Sequence, residues 1–285
     1  MMHTIENGFL SVGLFQKGAE LRSVVDKHNK YEWMWQADER YWAKSSPILF
    51  PIVGALKEGR FIHAGQIYHL PRHGFARDID FDIVETTATR IVFALNANDN
   101  TEHCFPFHFS LKLTYELKEN MLEVSYCVCN LGQDLLYFSL GAHPAFNFSY
   151  NQADNSTAYL EFPADDILER YHLHDNLLST SFDCIELENH QLFPDRDTFK
   201  EDAWILKNLN SNAVIIRSNN RQLRFAYEGF SYFGIWSVPE SSFICLEPWQ
   251  GLPDHVNHNL LFSEKEGIVK LNGNSDWHAK WSITI

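Results

Sequence analysis

Residues 107–117 and 121–129 alternate apolar and polar side chains with a period of two. Phe109, Leu111, Leu113, Tyr115 and Leu117 share one parity, and Leu122, Val124, Tyr126 and Val128 share the other. Successive side chains of a strand point to opposite faces, so the pattern calls for strands with one buried face and fits no helix. Lys118-Glu119-Asn120 between the runs has the length of a tight hairpin turn. Residues 81–94 alternate in the same way, and the three runs predict an antiparallel meander. Shorter runs over 4–14, 19–26, 31–35, 135–140, 203–206, 213–218, 223–227 and 233–238 read as further strands, 61–68 as a hairpin about Ala64-Gly65, and 267–271 with 277–284 as a closing pair. The 22 Phe, 11 Tyr and 8 Trp residues suit strands better than helices. Residues 148–200 are the least regular and predict a long loop, with a helical turn or two over 165–171. Together these features predict an all-β, antiparallel sandwich with residues 1–285 as a single domain.

Charge and composition exclude several functions. A net charge of −14 opposes nucleic acid and anionic membranes as partners. The five cysteines are odd in number and form no C-x-x-C pair, so neither a disulfide frame nor a zinc site is expected. Cys127 and Cys129 lie two apart, on one face of a strand, and read as core-facing or half-buried thiols. The N-terminus shows no signal-peptide pattern, and no apolar run approaches the roughly 20 residues of a membrane helix. A reduced, cytoplasmic setting is expected. No dinucleotide fingerprint or phosphate-binding loop is present.

Three ionisable residues stand at Gly- or Pro-bounded strand ends or loops, where sites are commonly built: His73, His143 and Glu247. Glu247 follows the apolar run Phe243-Ile244-Cys245-Leu246 and precedes Pro248 and Trp249. Proline lacks an N–H, so the ladder is expected to stop at Glu247. An indole beside a carboxylate suits a sugar, whose ring face packs on Trp249 while the acid accepts hydroxyl protons. Gly141-Ala142-His143-Pro144 repeats the layout of an ionisable strand tip followed by proline. His73 lies in a loop beside Gly74. A His beside a Pro is often only a hydrogen-bonded structural residue, but His with Glu also suits general acid–base catalysis. Two His and one Glu match a zinc shell too, yet no H-E-x-x-H spacing occurs and no metal is expected. Asp254 is a possible second acid, with a turn or cap role as its plainer reading. Cys245 is expected to be buried and inert.

Four segments in order, Pro47-Ile48-Leu49-Phe50-Pro51-Ile52-Val53-Gly54, Arg72-His73-Gly74-Phe75-Ala76-Arg77, Gly141-Ala142-His143-Pro144-Ala145-Phe146-Asn147 and Glu247-Pro248-Trp249-Gln250-Gly251-Leu252-Pro253-Asp254, resemble the aldose 1-epimerase (galactose mutarotase) family, most closely its bacterial LacX-like branch. The resemblance implies a β-supersandwich and cofactor-free interconversion of the α- and β-anomers of an aldose. It implies Glu247 as the base for the C1 hydroxyl, His143 as the acid for the ring oxygen, and His73 as a supporting hydrogen-bond group. Asp202 is the implied sugar-binding acid, and Trp249 and Asn147 join it as expected substrate contacts. The family often carries an Arg two residues past the Val53 position, where this chain has Ala55. Lys57, Arg60, Arg72 and Arg77 are the candidates to replace it, with Arg77 preferred. A hexose-6-phosphate 1-epimerase, a non-catalytic carbohydrate-binding protein and a glycosidase are the alternative readings.

Overall fold

The structure, a computed structural model, describes residues 1–150, 158–218 and 221–285. The fold is all-β. Two large antiparallel sheets dominate, one of nine strands and one of eight, beside a four-stranded N-terminal sheet and two two-stranded ribbons. The alternating runs form the middle of the nine-stranded sheet. Phe109–Lys118 pairs along its whole length with Met121–Asn130, and Arg90–Asn96 and Asp276–Thr284 flank them.

Several runs that read as one strand are folded hairpins. Residues 81–94 contain Asp82–Thr86 and Arg90–Asn96, and residues 4–14 contribute to Met2–Glu6 and Leu10–Phe15. Short polar or glycine-bearing breaks at Thr87-Ala88-Thr89 and Asn7-Gly8 interrupt the pairing. A second difference lies at 165–171. Instead of helical turns, most of this stretch enters a long hairpin of Ile167–His174 and Leu177–Glu186 at the edge of the eight-stranded sheet. Its turn is Asp175-Asn176, with φ of 50° and 65°. Asn and Asp tolerate these positive φ values, which two-residue hairpin turns require. The expected long loop includes residues 151–157, which lie outside the described residues.

The two large sheets enclose the main core. Phe225 of the nine-stranded sheet lies 5.9 Å from Phe146 and 6.2 Å from Phe233 of the eight-stranded sheet, centroid to centroid. Strand Phe243–Gln250 lies inside the eight-stranded sheet and is buried on both faces. Ile244 and Leu246 join the main core, whereas Phe243, Cys245 and Trp249 turn the other way, into two small apolar clusters. Glu247 shares that second face by parity. Among the described residues no helix is long and apolar enough to cross a membrane.

Candidate active site

The ladder does not stop at Glu247. Pro248 sits within the strand, opposite Phe233. The strand on its other side is the one that breaks: Leu140–Ala142 and Ala145–Asn147 are separated at His143-Pro144. The Leu246 N–H donates to the Pro144 carbonyl, and residues two apart present their N–H to the same side, so the donor that Pro248 lacks would face this gap. The register is the same on both sides of the break, with Gly141 opposite Trp249 and Ala145 opposite Cys245. It therefore places His143 directly across from Glu247. His143 Nε2 lies 3.2 Å from Glu247 Oε2.

Aromatic rings fix both members of this pair. The His143 imidazole stacks on Trp42 at 5.0 Å and meets the edge geometry of Trp236 at 5.6 Å. The Trp249 indole occupies space left by two glycines. A Cβ on Gly141 would lie 2.7 Å from Trp249 Cδ1, and one on Gly234 would lie 2.7 Å from Trp249 Cζ2. Both are closer than carbon atoms approach.

His73 is held by reciprocal bonds to Gly54. Its N–H donates to the Gly54 carbonyl at 2.8 Å, and its Nδ1 accepts from the Gly54 N–H at 3.2 Å. A neutral imidazole accepts at only one ring nitrogen. Arg72 Nε–H is aimed at the other ring nitrogen, Nε2, at 3.1 Å, so the two donors compete for one lone pair and hold the ring between Gly54 and Arg72. Arg72 also donates to Asn176 Oδ1 at 2.5 Å and lies 3.7 Å from Asp202 Oδ1. These groups line a cavity of about 240 Å³. That is smaller than the roughly 300–1,000 Å³ of drug-sized sites and suits one small polar ligand.

The buried polar atoms here are not satisfied by the protein. Among the described residues, both Glu247 oxygens, His143 Nδ1 and Trp249 Nε1 have no hydrogen-bond partner. Buried polar groups are normally paired, so this concentration points to a ligand rich in hydroxyls. Charge is disfavoured on the pair. Burial pushes the Glu247 carboxyl well above the ordinary carboxylate range, opposed in part by Arg72. Burial, with Arg72 and Arg77, lowers His143 to about 3, and burial with neighbouring His143 holds His73 well below its usual value.

A family model described as aldose 1-epimerase matches residues 1–264. The chain belongs to the aldose 1-epimerase family. It is 30% identical to the LacX proteins, plasmid and chromosomal, of Lactococcus lactis subsp. lactis, over 99% of this chain and 98% of theirs. A solved galactose mutarotase related enzyme from Lactobacillus acidophilus is similar at 32% identity with a TM-score of 0.92, covering 100% of this chain and 97% of that one. A galactose mutarotase-like protein from Lactobacillus casei is similar at 30% identity with the same TM-score, covering 100% and 99%.

Within this aldose 1-epimerase family member, Glu247, His143, His73, Asp202, Arg77 and Trp249 all line one pocket. Asn147 does not. Its amide donates to the Glu32 and Met34 carbonyls and ties down the N-terminal sheet. Arg77 reaches the pocket edge, but its guanidinium donates to the Arg72 carbonyl and lies 3.7 Å from Asp78. Arg72 faces the ligand space instead. Lys57 and Arg60 turn elsewhere, to the His258 carbonyl and to Glu58. Asp254 has the plainer role: it accepts from the Lys57 N–H and pairs with buried Lys265 at 2.7 Å. Burial alone would raise its carboxyl, but Lys265 and hydrogen bonds hold it at about 2. Donor atoms of His143, Cys245 and Glu247 lie within 4.8 Å of one another. Cys245 is fully buried and does not line the pocket, so the three do not present their donors to one open position.

Trp42, Trp236 and Asn176 were not read from the sequence. Trp42 lies in an irregular stretch with no periodic signal. Asn176 had one: Asp175-Asn176 between His174 and Leu177 is a two-residue hairpin signature.

Proposed function

We propose that residues 1–285, acting as one domain, interconvert the α- and β-anomers of an aldose by opening and reclosing the sugar ring without a cofactor. The observation that carries this reading is the register-fixed Glu247–His143 pair, 3.2 Å apart, in which the Glu247 oxygens and His143 Nδ1 are buried with no hydrogen bond from the protein. Mutarotation takes a proton from the C1 hydroxyl and gives one to the ring oxygen. The C1–C2 bond then turns, and closure on the other face returns both protons. A paired base and acid are what this requires.

Burial disfavours a charge on either partner, so the pair holds one proton between them. Sugar hydroxyls that donate to the two Glu247 oxygens favour the form with that proton on His143. In that form Glu247 takes the C1 hydroxyl proton and His143 protonates the ring oxygen. Arg72, held against His73, receives a sugar oxygen. Asp202 accepts from a hydroxyl, and the Trp249 indole supports the ring face. Arg72, in place of Arg77, fills the role left open by Ala55. A cytoplasmic setting is part of the proposal and agrees with five free thiols. Galactose is the first sugar to test, since the two similar solved proteins are described as galactose mutarotase related or galactose mutarotase-like.

NMR anomer exchange on galactose, glucose and their 6-phosphates is the deciding experiment. Accelerated exchange of a free sugar is expected. Faster exchange of the phosphates would overturn the free-sugar reading. Binding with no acceleration on any sugar would leave a carbohydrate-binding protein.

A further inference from the structure

Two cysteines take no part in the sugar site. Cys127 and Cys129 lie on strand Met121–Asn130, in the interior of the nine-stranded sheet. Even-numbered residues of that strand are buried, and odd-numbered residues from Met121 to Cys129 are half-exposed. Both thiols therefore sit on the outer face, away from the core. Cys129 is directly opposite Asp276, and Cys127 is directly opposite His278. Asp276 and His278 are exposed on the same side of the C-terminal strand. On the other flank Cys127 faces Lys112 and Cys129 faces Ser110.

The spacing of the sulfurs is informative. They lie 3.6 Å apart. A disulfide needs about 2.05 Å. Two thiolates on one tetrahedral zinc, each with a bond of about 2.3 Å, stand about 3.8 Å apart. The pair is thus close to the separation that a tetrahedral thiophilic ion requires. A carboxylate oxygen of Asp276 completes a set of three donors, all within 4.8 Å of one another. Antiparallel pairing, which fixes all three backbones, supplies preorganisation that a surface loop would lack.

We propose that this outer face binds one thiophilic divalent cation, Zn²⁺ or Cd²⁺, through Cys127, Cys129 and Asp276. His278 or water takes the fourth position. Binding replaces the two thiol protons, which leave to solvent, with two sulfur–metal bonds, and no oxidant or reductant is needed. Burial pushes both thiols up, so the ion must displace protons that are firmly held.

The test uses the full-length protein, reduced and metal-free, at mildly alkaline pH, in a Cys184→Ser background that removes the exposed thiol. Titration with Cd²⁺ should give a sulfur-to-cadmium charge-transfer band that saturates at one equivalent, and Zn²⁺ should abolish it by competition. Cys127→Ser/Cys129→Ser should lose the band. Asp276→Asn should weaken binding by ~10-fold or more, as even loss of an outer-shell partner commonly does. Thermal denaturation of each variant without metal checks that it is folded. No saturating band, a band that survives in the double variant, or an affinity unchanged by Asp276→Asn would each overturn the site.

Discussion

Replacing Glu247 by Gln separates chemistry from structure, because the two effects have opposite signs. Glu247 is 1% exposed, and neither of its oxygens accepts a hydrogen bond from the protein, with His143 Nε2 3.2 Å from Oε2. Gln keeps the volume and still offers one acceptor oxygen, so the sugar should still bind. Gln cannot take a proton. A well-placed general base contributes ~10²–10⁴ in rate, equivalent to about 3–5 kcal/mol of barrier. The proton moves only in the transition state, so kcat and kcat/KM should fall together. Stability should move the other way. Burial raises the folded carboxyl above its ordinary value of 4.5. Between 4.5 and the raised value the folded protein therefore binds more protons than the unfolded chain, and wild-type stability falls as pH rises. Gln does not titrate and escapes that loss. The variant should melt at or above the wild-type temperature at neutral pH, by an advantage that shrinks toward pH 4.5. NMR anomer exchange and thermal denaturation on the same sample give both quantities. More than ~10% of wild-type kcat would refute the assignment of Glu247 as base. An inactive variant that is also destabilised by about 3–5 kcal/mol, the cost of breaking a buried ion pair, would make Glu247 a structural anchor.

Three further outcomes follow from the geometry. Gly234→Ala puts a Cβ 2.7 Å from Trp249 Cζ2. Carbon contacts settle near 3.5–4.0 Å, so the indole shifts by about 1 Å. A misplacement of that size can cost on the order of 10²-fold in kcat/KM, with about 1–3 kcal/mol of stability, and unchanged mutarotation would refute the platform role of Trp249. Lys265→Met leaves Asp254 buried without its 2.7 Å partner and should cost about 3–5 kcal/mol of stability in denaturant unfolding; a loss under ~1 kcal/mol would refute the anchoring role. His143 is lowered from 6.5 to about 3, so the unfolded chain binds its proton first as pH falls. Its presence should destabilise the fold progressively from pH 6.5 toward 3. His143→Asn should therefore lose less stability than the wild type across that window, and parallel melting curves against pH would contradict the burial of a neutral imidazole.

The site was legible to different degrees in different residues. Glu247, His143 and His73 were visible because Pro and Gly mark where strands bend or break, and such places carry function. The same rule misread Pro248. A proline interrupts a ladder only on the side its missing N–H would face, and here that side is already open at His143-Pro144. Asn147 shares a motif and a parity with His143, but its bonds to the Glu32 and Met34 carbonyls hold it four residues farther along, out of the pocket. In sequence Arg77 is preferred over Arg72, with no local pattern to separate them. Only the three-dimensional course of residues 70–78 turns one toward His73 and the other toward the Arg72 carbonyl. Asn176 comes from a hairpin about a hundred residues away in the chain, which no local pattern ties to the loop it meets.

The sequence by itself determined that the chain is all-β, where many of its strands lie, and which acid and base stand beside prolines. Those properties follow from side-chain alternation and from backbone donors that proline lacks, both of which are local. Tertiary structure decided that the two proline-marked tips are one site. A register carried unchanged across a broken strand sets His143 opposite Glu247, and glycines at 141 and 234 leave room for the indole beside them. Pairing between residues a hundred positions apart is a property of the sheet as a whole, so it could be read only once the sheet was built.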